Sequence, residues 1–242
     1  MSEADSPQRH RLGLGNLVRC AHPRQAVLLA AAMGVLAALD DRPAREVAVV
    51  AAAVLVVQLS LGLSNDLCDL KHDYRAQTPG KPLAAGSVNP GTASYWMLVL
   101  IVLAVPVAAY SGSVAAIALL VTLPIGWIHN RWLHRTPLSF LGWTLTFALY
   151  PAFLSYGGWA GGLHGDAPTW AISIAAGAFG FTAHFATTLG DLVADNKAGA
   201  RNLPLRIALR TGAPRLLFAT IVLTALSLAG LVVAGVTVGL RQ

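Results

Sequence analysis

Asn65-Asp66-Leu67-Cys68-Asp69-Leu70-Lys71-His72-Asp73 follows directly on the apolar run 47–62. Three of the chain's eleven acidic residues stand in this stretch, within eight positions. A second cluster, Asp191-Leu192-Val193-Ala194-Asp195-Asn196-Lys197, follows another apolar run far downstream, so five of the eleven carboxylates sit at the ends of two hydrophobic segments. The runs call for a membrane and the bunched charges call for a ligand.

Outward from that stretch the chain is apolar. Of its 242 residues 55% are hydrophobic and 12% charged, where a soluble domain carries about 25% charged. A bilayer core of roughly 30 Å takes about 20 apolar residues per helix. Seven runs are candidate spans: 17–39, 47–64, 93–110, 114–128, 138–156, 170–189 and 216–240. Backbone polar groups find no water in lipid, so such spans form helices or a closed barrel. These uniformly apolar runs lack the alternation of barrel strands. The expected fold is an all-α integral membrane bundle of about seven spans over residues 16–242, preceded by a flexible cytoplasmic N-terminus, residues 1–15.

A net charge of +6 raises nucleic acid binding as a function class, and the distribution of the charge excludes it. With the N-terminus in the cytoplasm, fourteen of the seventeen Lys and Arg fall in cytoplasmic segments. They are Arg9, Arg11, Arg19 and Arg24 at the N-terminus, Lys71, Arg75 and Lys81 after the second span, Arg131 and Arg135 after the fourth, and Lys197, Arg201, Arg206, Arg210 and Arg215 after the sixth. Only Arg42, Arg45 and Arg241 lie outside. This is the positive-inside bias of a multi-pass membrane protein. Cys20 and Cys68 are too few for a disulfide framework, and both fall on the reducing side.

Four spans separate the two acidic clusters, so both emerge on the same, cytoplasmic face. The two halves are alike in plan: helix, acidic cluster, basic loop with a Pro-Leu or Leu-Pro step, helix. Within the first cluster Asp66, Asp69 and Asp73 are spaced i, i+3, i+7, which a helix gathers on one face. Asn65 and Asp69, like Asp191 and Asp195, are i, i+4 neighbours. Like charges at these spacings repel, and nearby hydrocarbon raises the cost. A hard divalent cation resolves both problems. Oxygen-only donors suit Mg2+, which takes one or two carboxylates and completes its shell with water and substrate phosphate. Charged helix ends can also serve merely to stop a helix at the interface, but topology is written in Lys and Arg rather than Asp and Glu.

The residues resemble those of the UbiA superfamily of intramembrane prenyltransferases. Asn65-Asp66-x-x-Asp69-x-x-x-Asp73 is similar to its first acidic signature. Lys81-Pro82-Leu83-x-x-Gly86 is similar to its R-P-L-x-x-G loop. Asp191-x-x-x-Asp195-x-x-x-Gly199-x-Arg201-Asn202-Leu203-Pro204 is similar to its second acidic motif with the trailing G-x-R-T-L-P. The likeness spans roughly residues 15–240.

The resemblance implies a bundle around a central cavity, with Mg2+ at its cytoplasmic mouth binding the diphosphate of an isoprenoid donor. It implies that Asp66, Asp69, Asp73, Asp191 and Asp195 hold metal with Asn65 in support, and that Lys81, Arg131, Lys197 and Arg201 meet the diphosphate. The implied reaction is transfer of an isoprenyl group to a small acceptor within the membrane, aromatic rings being the family's default. An intramembrane terpene cyclase and a carrier that binds a phosphorylated isoprenoid without turnover are the alternatives.

Three departures from the family pattern stand out. Thr188 occupies the place of a further Asp, Lys81 replaces an Arg and gives a point charge in place of a bidentate fork, and seven spans stand against the nine usual. A second subunit in a homo-oligomer is one way to complete such a bundle. Among other polar residues, His184 is a candidate to face the cavity or to pack within the core. His72, Arg19 and Arg24 are read as interface residues, and Tyr150, Phe153 and Tyr156 as helix packing.

Overall fold

The computed structural model describes residues 13–78, 80–158 and 165–240. Each of the seven apolar runs is helical, and among the described residues there is no β-strand. The expected flexible segment 1–15 lies outside the described residues as far as Leu12, and Leu14 already belongs to the first helix.

Helices α1 (Leu14–Cys20) and α2 (Pro23–Leu39) divide the expected span 17–39 with a bend of 65°. The bend sits at His22, whose φ of 50° is left-handed, followed by Pro23 at the first position of α2. There its missing N–H leaves no donor unbonded. Helix α3 (Ala44–Ala76) carries the apolar run 47–64 straight on through the acidic stretch, 33 residues in all. Nothing from 65 to 76 breaks a helix, because neither Pro nor Gly occurs there. At 1.5 Å per residue α3 is about 50 Å long, against roughly 30 Å of hydrocarbon. The acidic stretch is therefore the last turns of a helix that outgrows the bilayer core.

Helix α4 (Pro90–Ala109) opens with the Asn89 side chain accepting the Gly91 N–H at 2.7 Å. A corner at Gly112, φ 105°, leads to α5 (Ser113–Leu120) and α6 (Thr122–Ile128), which passes into a π-turn at His129–Leu133. Helix α7 is Phe140–Ser155. Helix α8 (Trp170–Thr188) tightens into a 3₁₀ turn at Leu189–Asp191 and continues as α9 (Leu192–Lys197). The short α10 (Leu203–Thr211) and the long α11 (Ala213–Thr237) complete the described chain.

Five elements are long and apolar enough to cross a membrane singly: α3, α4, Ser113–Leu133, Trp170–Lys197 and α11. The bent α1–α2 pair makes a sixth if it is one span, and α7, apolar over 16 residues, is shorter. The main core joins α2 through α7 around Met33, Val54, Val57, Leu119 and Phe153. A second core, of Cys20, Leu63, Leu83 and Val88, presses the loop after α3 back onto its acidic end. A third, of Phe185, Leu192, Leu205 and Leu216, holds α10 and α11 against α8. Outward-facing side chains such as Phe218 and Ile221, 70% and 59% exposed, form an apolar surface suited to lipid rather than water.

Two glycines allow close approach. A Cβ on Gly62 would collide with the backbone of Ala21, so the α1–α2 corner rests directly on α3. A Cβ on Gly180 would lie 2.6 Å from Phe147, so α8 packs tightly on α7.

Candidate functional site

The last turns of α3 carry the first acidic motif, and three separate segments converge on it. Asp66 is 2% exposed. Its Oδ1 accepts from Lys81 Nζ at 2.6 Å and lies 2.8 Å from His22 Nε2. Lys81 reaches this position because Leu83 and Val88 bury the loop against α3. The same ammonium is 3.9 Å from Asp73 Oδ2, while Asp73 Oδ1 accepts from Thr78 Oγ1 at 3.0 Å. Burial works against the Lys81 charge, but the hydrogen bond and charge of Asp66, with Asp73 and Asp69 behind, outweigh it and hold the ammonium above the ordinary lysine pKa.

Asp69 points to a different partner. Its Oδ1 accepts from the Arg135 guanidinium at 2.8 Å, with His134 Nε2 at 3.2 Å, and its Oδ2 lies 3.4 Å from Asn65 Nδ2. His134 Nε2 accepts from Arg135 Nε at 2.9 Å, and its Nδ1 sits 3.3 Å from the His129 carbonyl. The imidazole thus sits against both the arginine and the carboxylate that the arginine meets.

The second motif is differently built. Asp191 closes the 3₁₀ turn and is exposed, whereas Asp195 is half-buried with its Oδ2 accepting from Asn202 Nδ2 at 2.6 Å. The Arg201 N–H donates to the Arg135 carbonyl at 2.9 Å. Arg135 thus touches the first motif with its side chain and the second with its backbone, which brings both acidic motifs to one end of the bundle. Thr188 turns its hydroxyl to the His184 carbonyl, 2.8 Å away.

Of the residues singled out by sequence, the structure gathers Asn65, Asp66, Asp69, Asp73 and Lys81 closely, with Asp195 linked to them through Asn202 and Arg135. Arg131, Lys197 and Arg201 are exposed, and no side-chain hydrogen bond or ion pair engages them among the described residues. Sequence reasoning passed over His22, His134, Arg135 and Asn202. Arg135 carried only a topology signal, with Arg131 preferred. His22 lies 44 residues from its partner Asp66, a distance that no local spacing reveals. Asn202 fell inside the second motif as a departure from its usual Thr.

Among the described residues no three carboxylates, imidazoles or thiols already converge as a metal-ligand set. The donor chemistry nonetheless fits a hard divalent cation. Every acidic ligand is an oxygen donor, and Asp66 Oδ2 is buried with no hydrogen-bond partner. A carboxylate oxygen left unbonded in a site of this polarity is costly unless a cation completes it.

The fold resembles solved structures of known proteins. A UbiA homologue from Archaeoglobus fulgidus bound to DMAPP and Mg2+ superposes with a TM-score of 0.68 at 19% identity, over 89% of this chain and 76% of that one. The same homologue bound to GPP and Mg2+ gives a TM-score of 0.70, also at 19% identity and over the same shares. A digeranylgeranylglyceryl phosphate synthase gives 0.62 at 15% identity, over 93% of this chain and 78% of that one. No curated protein matches the sequence significantly. The model of the UbiA prenyltransferase family matches residues 26–241, most of the chain's length, and the chain belongs to that family.

Proposed function

We propose that the protein transfers an isoprenyl group from a prenyl diphosphate to a small acceptor within the membrane, in a Mg2+-dependent reaction. The observation that carries the reading is the meeting of two acidic motifs at one end of an apolar bundle, joined through Arg135, with Asp66 Oδ2 buried and unpartnered. Relatives of the same fold bound to DMAPP or GPP with Mg2+ support it. The positive-inside bias supports a cytoplasmic position for this end and for the N-terminus.

In this reading Asp66, Asp69 and Asp73 from α3 and Asp191 and Asp195 from the second motif hold the metal, with Asn65 steadying Asp69. When bound, Mg2+ neutralises charge on the departing diphosphate. The chain's own cations share that task. Lys81 and Arg135, paired with carboxylates in the absence of ligand, are placed to turn to diphosphate oxygens, where fixed positive charge stabilises the leaving group. Exposed Arg131, Lys197 and Arg201 add positive charge that attracts the anionic head. The isoprenoid tail lies among the apolar spans, which keep water from the allylic cation as the C–O bond opens. The acceptor attacks that carbon and its proton passes out to solvent.

The test is diphosphate release from DMAPP, geranyl, farnesyl and geranylgeranyl diphosphates by the purified protein in liposomes, with and without Mg2+ and a panel of aromatic acceptors. Turnover that needs Mg2+ and is lost in Asp66→Asn and Asp195→Asn supports the reading. Binding without release supports a carrier of phosphorylated isoprenoids, a reading favoured by the commitment of Thr188 to its own helix. Release without acceptor, giving a cyclic hydrocarbon, supports a cyclase.

A further inference from the structure

Ser139 lies just before α7 and is fully buried. Its Oγ is 2.9 Å from His184 Nε2, near the C-terminal end of α8, and accepts the N–H of Leu203 at 3.3 Å, the first residue of α10. Between those two partners the chain runs through Asp191, Asp195 and Asn202. One hydroxyl therefore grips both ends of the segment that carries the second acidic motif.

The start of α10 shows what the grip accomplishes. A helix leaves its first N–H groups without intrahelical partners. Here Leu203 N–H is taken by Ser139, Pro204 has none to satisfy, and Leu205 N–H is taken by Asn202 Oδ1 at 2.9 Å. With Oδ1 committed to the cap, Asn202 presents Nδ2 to Asp195 Oδ2 at 2.6 Å. Asn202 is 3% exposed and Pro204 and Leu205 are buried, so this corner has little room to rearrange. The orientation of Asp195 thus descends from the cap and the cap from the position of α10, which the core around Leu205 and Phe185 packs against α8 and the Ser139–His184 contact ties at its first residue.

We infer that Ser139 and His184 are positioning residues for the second acidic motif, setting where Asp195 meets a metal–diphosphate ligand. The inference rests on the proposed prenyl diphosphate function. Neither residue is placed in contact with substrate. Partners that orient a metal-binding carboxylate typically govern affinity by about 10- to 100-fold.

The experiment measures geranyl diphosphate binding to the full chain in detergent across a Mg2+ titration. In Ser139→Ala, the Mg2+ concentration for half-maximal binding rises about tenfold, and Ser139→Thr, which keeps the hydroxyl, recovers most of it. The preference among geranyl, farnesyl and geranylgeranyl diphosphates stays that of the wild type. Added to Asp195→Asn, Ser139→Ala brings little further loss, whereas added to Asp73→Asn its effect multiplies, the pattern of a residue acting through its neighbour. A shift under twofold, or equal multiplication in both backgrounds, overturns the inference. If Ser139→Ala fails to fold, Ser139→Cys and His184→Gln are read in the same way. Amide exchange gives a reading independent of ligand, with residues 200–205 exchanging faster in the variant and residues 65–76 unchanged. Unaltered exchange at 200–205 overturns the clasp even if the wild type binds no geranyl diphosphate, an outcome that by itself defeats only the functional reading.

Discussion

Lys81 places its ammonium 2.6 Å from Asp66 Oδ1, so a loop residue serves as counter-ion to a carboxylate that is 2% exposed. The pair explains how five aspartates can gather at one end of an apolar bundle without tearing it apart. Each inward-facing acid of the first motif has a partner of its own, Lys81 for Asp66 and Arg135 for Asp69, with Thr78 on Asp73. The same charges are those that the proposed diphosphate would claim.

Removing the loop cation should therefore weaken the fold as well as the chemistry. Lys81→Met removes the cationic partner of Asp66, and a lost charge-assisted hydrogen bond at a mostly buried acid costs about 1–2 kcal/mol. Because Lys81 is held above the ordinary lysine value, its stabilisation is complete below the unfolded pKa of about 10.4 and fades only as pH rises through the higher folded value. The melting gap between wild type and Lys81→Met in detergent should stay constant from about pH 6 to 9. A gap that closes within that window assigns the stabilisation elsewhere.

Arg135 and Arg131 stand four residues apart and should behave oppositely. Arg135 joins Asp69 to the Arg201 backbone, whereas Arg131 is exposed. Arg135→Gln removes a guanidinium from a half-buried carboxylate and from the proposed diphosphate site, and turnover should drop by about 10²-fold or more. Arg131→Gln should change KM for a prenyl diphosphate by about threefold at most, and less at high salt, as expected of a screened surface charge. Steady-state kinetics of the two variants at two ionic strengths decides the matter.

The sequence made the apolar runs and the acid spacings legible because both are local: a span is read from consecutive residues, and i, i+3, i+7 from a helical period. Asp66, Asp69 and Asp73 accordingly lie on one continuous helix, as the spacing requires. The partners that set their charge are not local. His22 reaches Asp66 only because the first apolar run breaks at a left-handed residue and Gly62 lets the corner settle on α3. The continuation of α3 beyond its apolar run was legible for the same local reason. Charge marks where the bilayer stops, and a helix free of Gly and Pro continues past that point. Ser139 had no sequence signature, since a serine beside Pro137 and Leu138 reads as an ordinary turn.

Gly62 is the cheapest place to test that account. A Cβ there meets backbone atoms of Ala21, which cannot swing aside as a side chain can. Gly62→Ala should destabilise the fold by about 1–3 kcal/mol, the usual cost of overpacking, and should pull His22 from Asp66. Gly34→Ala is the control, because its Cβ would sit at an ordinary 3.4 Å from Ala51. Thermal unfolding of both, with Mg2+-dependent turnover alongside, separates a specific clash from a general intolerance of alanine; equal behaviour of the two rules the clash out.

Thr188 offers the opposite experiment, a gain. It stands three residues before Asp191 and spends its hydroxyl on the His184 carbonyl at 2.8 Å. Thr188→Asp gives up that bond and sets a third carboxylate on the second motif, at the position where family members usually carry one. Without metal the added charge repels Asp191, which on a helix costs about 0.2–0.5 kcal/mol, so the variant should melt slightly lower in EDTA. With metal the sign reverses, since another oxygen donor at a hard-cation site lowers the Mg2+ concentration needed for half-maximal turnover by several-fold. Melting curves in EDTA and in Mg2+ should therefore cross between wild type and variant. Parallel curves in both conditions would mean that position 188 does not face the proposed metal site.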